Sequence, residues 1–350
     1  MTNTYTVGVK ASRSYDIHIG EGESERLCEH LLPLKLGRKI MIVTDDTVAA
    51  LYLGTVERIL TEGGYECTHY IFPHGEASKN AATYLGILDS LARRRFTRRD
   101  SVLALGGGVV GDVSGFAAST YMRGVRYVQM PTTLLSAVDS SVGGKCAIDI
   151  EGGKNLVGSF WQPSAVVCDV NFLDTLPCEY FSDGMAEVIK YALLRGGELL
   201  SLIEGGRANG DIARVIERCV SIKRDVVARD ERDEGERAQL NLGHTLAHAI
   251  EAHSDFSISH GRAVGIGMCA VLRGCERKGL CSRETLERLI SLVSDYSLDT
   301  ECPYPVEELE PYIANDKKSK GDAVELVLVR EFGRCELRVV PLSEINEYLG

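Results

Sequence analysis

Short apolar, β-branched runs recur through the first half of the chain, separated by stretches whose apolar positions fall three and four residues apart. Tyr5 to Val9 and Tyr15 to Ile19 read as opening strands, and Lys39 to Thr44 (KIMIVT) reads as a buried one. Further strands are predicted around Tyr70 and Ile71, over Ser101 to Leu105 (SVLAL), and over Tyr127 to Met130, with a helix pattern from Leu85 to Leu91. Strands alternating with helices predict a parallel or mixed sheet covered by helices. From about Cys178 the period turns helical and stays so for well over 100 residues. The pattern therefore predicts an α/β domain over residues 1–177 followed by an all-α domain over residues 178–350.

One stretch carries more ionisable chemistry than the rest, residues 236–251, ERAQLNLGHTLAHAIE. Leu240, Leu242, Leu246, Ala249 and Ile250 predict a largely buried helix. Arg237, Asn241, His244 and His248 are spaced four, three and four apart, which puts them on one face of it. Charged and imidazole groups are costly inside protein unless paired, so a polar stripe there calls for a ligand, a metal or a structural network. Four of the eight histidines lie between His244 and His260, and that clustering points to a metal.

The chain has 350 residues, 44% of them hydrophobic, enough for two ordinary folded domains. Its longest apolar runs, such as Ala263 to Leu272, are too short to cross a bilayer, and MTNTYTVGVK lacks a signal-peptide core. A cytosolic protein is expected. The 11 cysteines form no CxxC pair, so reduced core thiols are expected rather than a disulfide framework or zinc knuckle. A formal charge of -11 argues against general binding to nucleic acid or membrane, both polyanions. An anionic substrate would need basic residues gathered locally.

Such gatherings occur. After the Ser101 strand comes GGGVVGD, in which Gly106, Gly108 and Gly111 give GxGxxG spacing between a strand and a helix. Bare backbone there can approach a pyrophosphate at a helix N-terminus. No acidic residue ends the following strand, where the usual fingerprint has its ribose carboxylate. Asp45, after the KIMIVT strand, can fill that role, with an N-cap as its bland alternative. A variant dinucleotide-binding, Rossmann-like fold is implied. Glycine pairs precede both Lys145 and Lys154, a pattern that lets backbone amides and a lysine converge on one small anion, with Asp139 and Asn155 nearby. By contrast, RRRFTRR at residues 93–99 reads as a solvated connection.

In the second half, Ser182 reads as an N-cap with Asp183 in the first turn of SDGMAEVIKYALL, where Glu187 and Lys190 share a face crowded by apolar neighbours. Lys223 lies on a later helix, and His260 opens HGRAVGIGM. A glutamate from one helix and histidines from others can make a three-ligand site with open positions, as catalytic zinc requires. By spacing, His248 and His253 compete with His244 and His260 for that role.

Across residues 39–320 the ordered series GEASK, GGGVVGDVSGFAASTYMRG, PTTLLSAVDSSVGGK, GKNLVGSFWQP, MAEVIKYALL, RAQLNLGHTLAHAIE, HGRAV and DKK resembles the 3-dehydroquinate synthase family. The resemblance implies a metal site of Glu187, His244 and His260 for zinc or cobalt. It leaves His248 on the substrate side and His253 outside. NAD would contact Asp45, Glu76, Lys79, Gly107, Gly108, Val109, Asp112, Thr132, Thr133, Asp139, Lys145, Lys154, Phe172, Thr175 and Leu176. The substrate's phosphate and carboxylate would meet Lys145, Asn155, Lys190, Lys223, Arg237, Asn241, His248 and Lys317. Arg123 would reach the neighbouring subunit's phosphate, so a homodimer is expected.

The implied reaction, the second step of the shikimate pathway toward aromatic amino acids, makes the enzyme a carbon–oxygen lyase. Its substrate is 3-deoxy-D-arabino-heptulosonate 7-phosphate. C5 is oxidised by bound NAD, phosphate is eliminated, the hydride returns, and an intramolecular aldol step closes the carbocycle. Holding both anionic ends of an open chain can contribute on the order of 7 to 11 kcal/mol through orientation. His74, Ser159 and Trp161 depart from the family's usual residues, His74 near the adenosine half of NAD. The nearest rivals are another sugar phosphate cyclase and a metal-dependent polyol dehydrogenase of the same fold.

Overall fold

Neighbouring residues of the central strands face opposite ways, and both faces are apolar. β3 (Lys39–Asp45) sends Met41 and Val43 into one core and Ile40 and Ile42 into another; β5 (Ser101–Gly106) divides Val102 and Ala104 from Leu103 and Leu105 in the same manner. Strands buried on both faces belong to a sheet covered by helices on both sides. The computed structural model describes residues 3–206, 208–314 and 323–350.

The seven-stranded sheet runs β1-β2-β9-β6-β5-β3-β4, completed by β1 (Tyr5–Val9), β2 (Tyr15–Gly20), β4 (Glu66–Phe72), β6 (Arg126–Pro131) and β9 (Ala165–Asp169). Only the β1–β2 pair is antiparallel. These strands coincide with the sequence expectation to within a residue or two where ends were predicted. One face packs on α1 (Leu27–Leu31) and α3 (Gly54–Glu62), which follows the short α2 (Asp46–Val48). The other packs on α4 (Ala81–Arg93) and α5 (Gly108–Thr120). From β3 the chain goes outward to β4, then returns to the other side of β3 for β5 and continues to β6. The direction therefore reverses between β3 and β5, and in open α/β sheets ligands bind at the carboxyl ends of strands at such a reversal.

A separate antiparallel ribbon, β7 (Lys145–Ile150) with β8 (Gly153–Phe160), holds the two GGK repeats. Lys145 pairs with Phe160 at one end, whereas Gly153, beside Lys154, pairs with Ile150 at the other. At roughly 3.4 Å per residue the backbones of the two lysines are about 15 Å apart along the ribbon.

The chain forms two compact units: Met1–Leu176 with Lys223–Arg232, and Pro177–Ile222 with Asp233–Gly350. The second contains α6 (Cys178–Arg195), α7 (Gly197–Ile203), most of α8 (Ile212–Arg229) before Lys223, α9 (His244–His253), α10 (His260–Arg277), α11 (Arg283–Asp295) and α12 (Val306–Ala314). After the helices come the ribbon β10 (Ala323–Glu331) with β11 (Arg334–Pro341), an addition to the all-helical expectation, and α13 (Ile345–Leu349). No helix among the described residues is long and apolar enough to cross a membrane.

Two helix expectations are corrected. α6 starts at Cys178, so Ser182 is not an N-cap; it lies inside the helix with Asp183. Residues 236–251 are not one helix: Glu236–Asn241 is a 3-10 turn, Gly243 adopts φ 80°, and α9 begins afresh at His244. Only His244 and His248 therefore share a helical face. Gly243 sits where α10 comes closest. A Cβ on Gly267 would lie 2.1 Å from the Gly243 carbonyl oxygen, and a Cβ on Gly243 would lie 2.8 Å from the Met268 nitrogen. Two bare backbones touching here fix where α9 starts.

Candidate functional site

In the first unit, the carboxyl ends of β3, β5, β6 and β9 carry most of the residues matched to NAD. β5 ends at Gly106; Gly107 caps α5, and the nitrogen of Gly111 returns to its carbonyl at 3.0 Å. A Cβ on Gly107 would meet Thr133 Cγ2 at 3.2 Å and one on Gly108 would meet Ser140 Oγ at 3.3 Å, so side chains would fill this cradle. Val109 is half-buried in the same first turn of α5. After β6, the Thr133 hydroxyl is 2.9 Å from that of Ser136, while the Thr132 hydroxyl is buried with no hydrogen-bond partner. An orphaned hydroxyl beside a glycine-lined helix N-terminus fits a bound dinucleotide.

Asp45 follows the bland alternative in part: its carboxylate accepts from the Val48 nitrogen at 2.8 Å and caps α2, while burial pushes its pKa up. Asp46 pairs instead with His74, 2.8 Å away. Phe172 is buried against the Tyr52 ring, and the Tyr52 hydroxyl donates to the Phe172 carbonyl at 3.2 Å and contacts the Thr175 hydroxyl. Leu176 closes that 3-10 segment. Tyr52, which the sequence reading did not single out, thus holds the segment carrying all three.

Several matched lysines are already in ion pairs. Buried Lys79 reaches Asp112 at 2.5 Å; burial would lower its pKa, but Asp112 and then Glu76 hold it above the usual value. Lys154 lies 3.5 Å from Glu76. Lys223 donates to the side chain and carbonyl of Asp139, both at 2.8 Å. Lys145 is exposed; Asn155 is exposed at φ 55°, its nitrogen donating to Asp149 at 2.8 Å. Exposed Arg123 has φ 65°, next to Met122 at φ 52°.

In the second unit, Glu187 on α6, His244 at the start of α9 and His260 at the start of α10 bring their ligand atoms within 4.8 Å of one another. Glu187 Oε1 is 3.3 Å from His244 Nε2 and 3.6 Å from His260 Nε2; it is buried and has no well-directed hydrogen bond. Glu187 Oε2 takes a hydrogen bond from buried Lys190. A shielded carboxylate oxygen facing two imidazole nitrogens fits a borderline divalent cation such as zinc. Burial pulls His244 down to about 4 despite Glu187, whereas at His260 the burial effect is outweighed by Glu187 and Glu251, which raise it to about 10. The far ring nitrogens are also engaged: His244 Nδ1 lies 3.1 Å from the Leu242 carbonyl and His260 Nδ1 lies 3.3 Å from Glu251. The sequence reading missed Glu251, although a buried carboxylate at the end of a histidine-rich helix was a signal.

His248 is exposed and edge-on to His244, 5.6 Å between centroids. His253 points elsewhere, stacking edge-on to Tyr304 at 4.5 Å and lying 3.5 Å from Glu308. Arg237 is buried, and Asn241 donates to the Ala238 carbonyl at 3.0 Å. Lys317 lies outside the described residues.

Two family descriptions match consecutive parts of the chain. The family description "3-dehydroquinate synthase N-terminal" matches residues 69–183, and "3-dehydroquinate synthase C-terminal" matches residues 184–319. A 3-dehydroquinate synthase of Clostridium acetobutylicum is 41% identical over 346 residues, covering 96% of each chain. A solved 2-epi-5-epi-valiolone synthase from Streptomyces hygroscopicus subsp. jinggangensis, with NAD+ and Zn2+ bound, is 27% identical with TM-score 0.88, covering 99% of this chain and 98% of that one. A 2-deoxy-scyllo-inosose synthase complexed with carbaglucose-6-phosphate, NAD+ and Co2+ shares the fold at TM-score 0.90 and 24% identity, covering 99% of both chains. With the glycine cradle, the acid–imidazole cluster and this similarity all in one chain, the protein belongs to the 3-dehydroquinate synthase family.

Proposed function

We propose that this protein converts 3-deoxy-D-arabino-heptulosonate 7-phosphate into 3-dehydroquinate and inorganic phosphate, acting in the cytosol as a homodimer. The observation that carries the reading is the buried Glu187 oxygen turned toward two imidazoles in a chain 41% identical, over nearly its whole length, to an enzyme of that name. NAD would supply a reversible hydride acceptor, and zinc or cobalt a Lewis acid for the substrate's hydroxyl oxygens.

The protein's own groups bind, orient and neutralise. Glu187, His244 and His260 hold the cation. Gly107, Gly108 and the first turn of α5 take the pyrophosphate of NAD, and the Thr132 hydroxyl finds its missing partner there. Lys145, Asn155, Lys190, Lys223, Arg237, Asn241, His248 and Lys317 restrain the substrate's phosphate and carboxylate. With no carboxylate base assigned, the substrate's own phosphate takes the proton as it leaves. Arg123 of the partner subunit completes the phosphate contacts. Support for that role is the exposure of Arg123 and the adjacent positive φ angles, a costly backbone that presents its side chain outward.

The test is phosphate release with NAD present only in catalytic amount, run beside glucose 6-phosphate and sedoheptulose 7-phosphate. Release from the heptulosonate alone, without net NADH, supports the reading. Release from either other sugar instead makes the protein a different cyclase, and steady accumulation of NADH makes it a dehydrogenase.

A further inference from the structure

His260 is the first residue of α10, so its direction depends on how that helix begins. Ser259 occupies the N-cap position, yet its hydroxyl caps nothing on its own helix. It donates instead to Asp183 Oδ1 at 2.6 Å. Asp183 belongs to α6, one turn before Glu187. Burial raises the pKa of the Asp183 carboxyl, and the bond from Ser259, then the nearby His260, offset part of that rise. The start of α10 is thus tied, through Ser259, to a carboxylate from another helix. The approach is close: a Cβ on Gly261 would stand 2.3 Å from Asp183 Cα and 2.5 Å from its carbonyl oxygen. On the far side of the imidazole, Glu251, only 9% exposed, lies 3.3 Å from Nδ1. With Nδ1 held there, Nε2 is the nitrogen left to face Glu187, 3.6 Å away.

We propose that Asp183 and Glu251 are positioning residues for His260, Asp183 anchoring the helix start and Glu251 fixing the ring's tautomer and tilt, so that its Nε2 is presented to a divalent cation. The inference rests on the reading of Glu187, His244 and His260 as a cation site. A carboxylate on the outer nitrogen of a ligating histidine raises the ligand's basicity and restricts its rotation, and loss of such a group typically costs about 10- to 100-fold in metal affinity. Asp183 also places the two α6 contributions in fixed relation. The helix that carries Glu187 is the one that docks the start of α10, one turn earlier, so the carboxylate ligand and one imidazole ligand share a support.

The experiment measures Zn2+ dissociation constants by competition with a chromogenic chelator, and the visible spectrum of the Co2+ form, for full-length wild type, Glu251→Ala, Glu251→Gln, Asp183→Ala and His260→Ala. Glu251→Ala and Asp183→Ala should each weaken zinc binding by about 10-fold or more and alter the cobalt spectrum. Glu251→Gln retains a carbonyl acceptor for Nδ1 and should recover most of the loss. In a His260→Ala background, Glu251→Ala should have little further effect, because its influence passes through the imidazole. Wild-type affinity in Glu251→Ala, or a full additional loss in the His260→Ala background, overturns the proposal. Failure of wild type itself to bind Zn2+ or Co2+ overturns the cation-site reading along with it.

Discussion

Replacing Lys190 by methionine isolates the electrostatics of the acidic ligand. Lys190 is 2% exposed and Glu187 1%, and they are hydrogen-bonded one turn apart on α6. Burial alone would drive the Glu187 carboxyl up; Lys190 and then His244 pull it well below the usual carboxylate range instead. Methionine keeps much of the lysine stem's volume, so packing changes little. The buried carboxylate loses its strongest compensating charge, and removing one partner of a buried ion pair costs about 3 to 5 kcal/mol. For a unit of this size each kcal/mol is roughly 2 to 4 °C in melting temperature.

The informative quantity is how that loss depends on zinc. A bound dication would supply the missing positive charge, so the penalty should be large in chelated protein and smaller in zinc-loaded protein. By linkage, each recovered 1.4 kcal/mol corresponds to about tenfold tighter zinc binding by the variant. Denaturant unfolding followed by far-ultraviolet circular dichroism, with chelator and with excess zinc, reads both. Tryptophan fluorescence does not, because the only tryptophan is Trp161 in the other unit. A loss below about 1 kcal/mol under both conditions, or weaker zinc binding by Lys190→Met, refutes the compensation argument.

Other perturbations reach different parts of the molecule. Gly267→Ala forces a methyl to within 2.1 Å of the Gly243 carbonyl, so a loss at or above the usual overpacking range of about 1 to 3 kcal/mol is expected, while Gly54→Ala, with nothing within 4 Å, should be neutral or stabilising by up to about 1 kcal/mol in the same denaturation assay. Tyr52→Phe removes the hydroxyl that braces Phe172 and Thr175; about 1 kcal/mol of lost hydrogen bonding predicts an NAD dissociation constant raised roughly fivefold, measured by equilibrium titration, with turnover at saturating NAD little changed. Lys145→Ala should lose far more turnover than Arg95→Ala in the phosphate-release assay, and equal mild effects would remove Lys145 from the substrate's binding set.

The sheet was legible because a two-faced core leaves its record in composition: strands such as KIMIVT are short and apolar at successive positions. The metal cluster was legible only as a choice among four histidines. What decides it is backbone geometry that periodicity does not encode. Gly243 interrupts the apparent helix and re-aims His244, while His253 ends its helix facing Tyr304 and Tyr312. The start of α6 was misplaced because Ser182 and Asp183 carry a capping signature, but Asp183 instead accepts from Ser259 at the start of α10, a helix far away in sequence. The separation of the GGK lysines was hidden for a related reason. Spacing along the chain does not reveal that a hairpin turn puts them at opposite ends of one ribbon.

An acidic chain that must hold anions has to keep its cations from being costly when the anions leave. Lys79 is paired with Asp112, Lys154 with Glu76, Lys190 with Glu187 and Lys223 with Asp139. Each pair joins two residues that the family resemblance matches to ligand contacts. Under the proposed function, arrival of a phosphate or carboxylate would be an exchange of partners at such a pair, and the net attraction would be smaller than free lysines would give. What the pairing provides is position: the ammonium groups of Lys79, Lys190 and Lys223 are buried and held before any ligand comes, so little side-chain entropy remains to be lost on binding. It follows that neutralising the carboxylate of a pair, as in Asp139→Asn, can strengthen anion binding while lowering turnover, because a lysine with one fewer restraint attracts more and positions less.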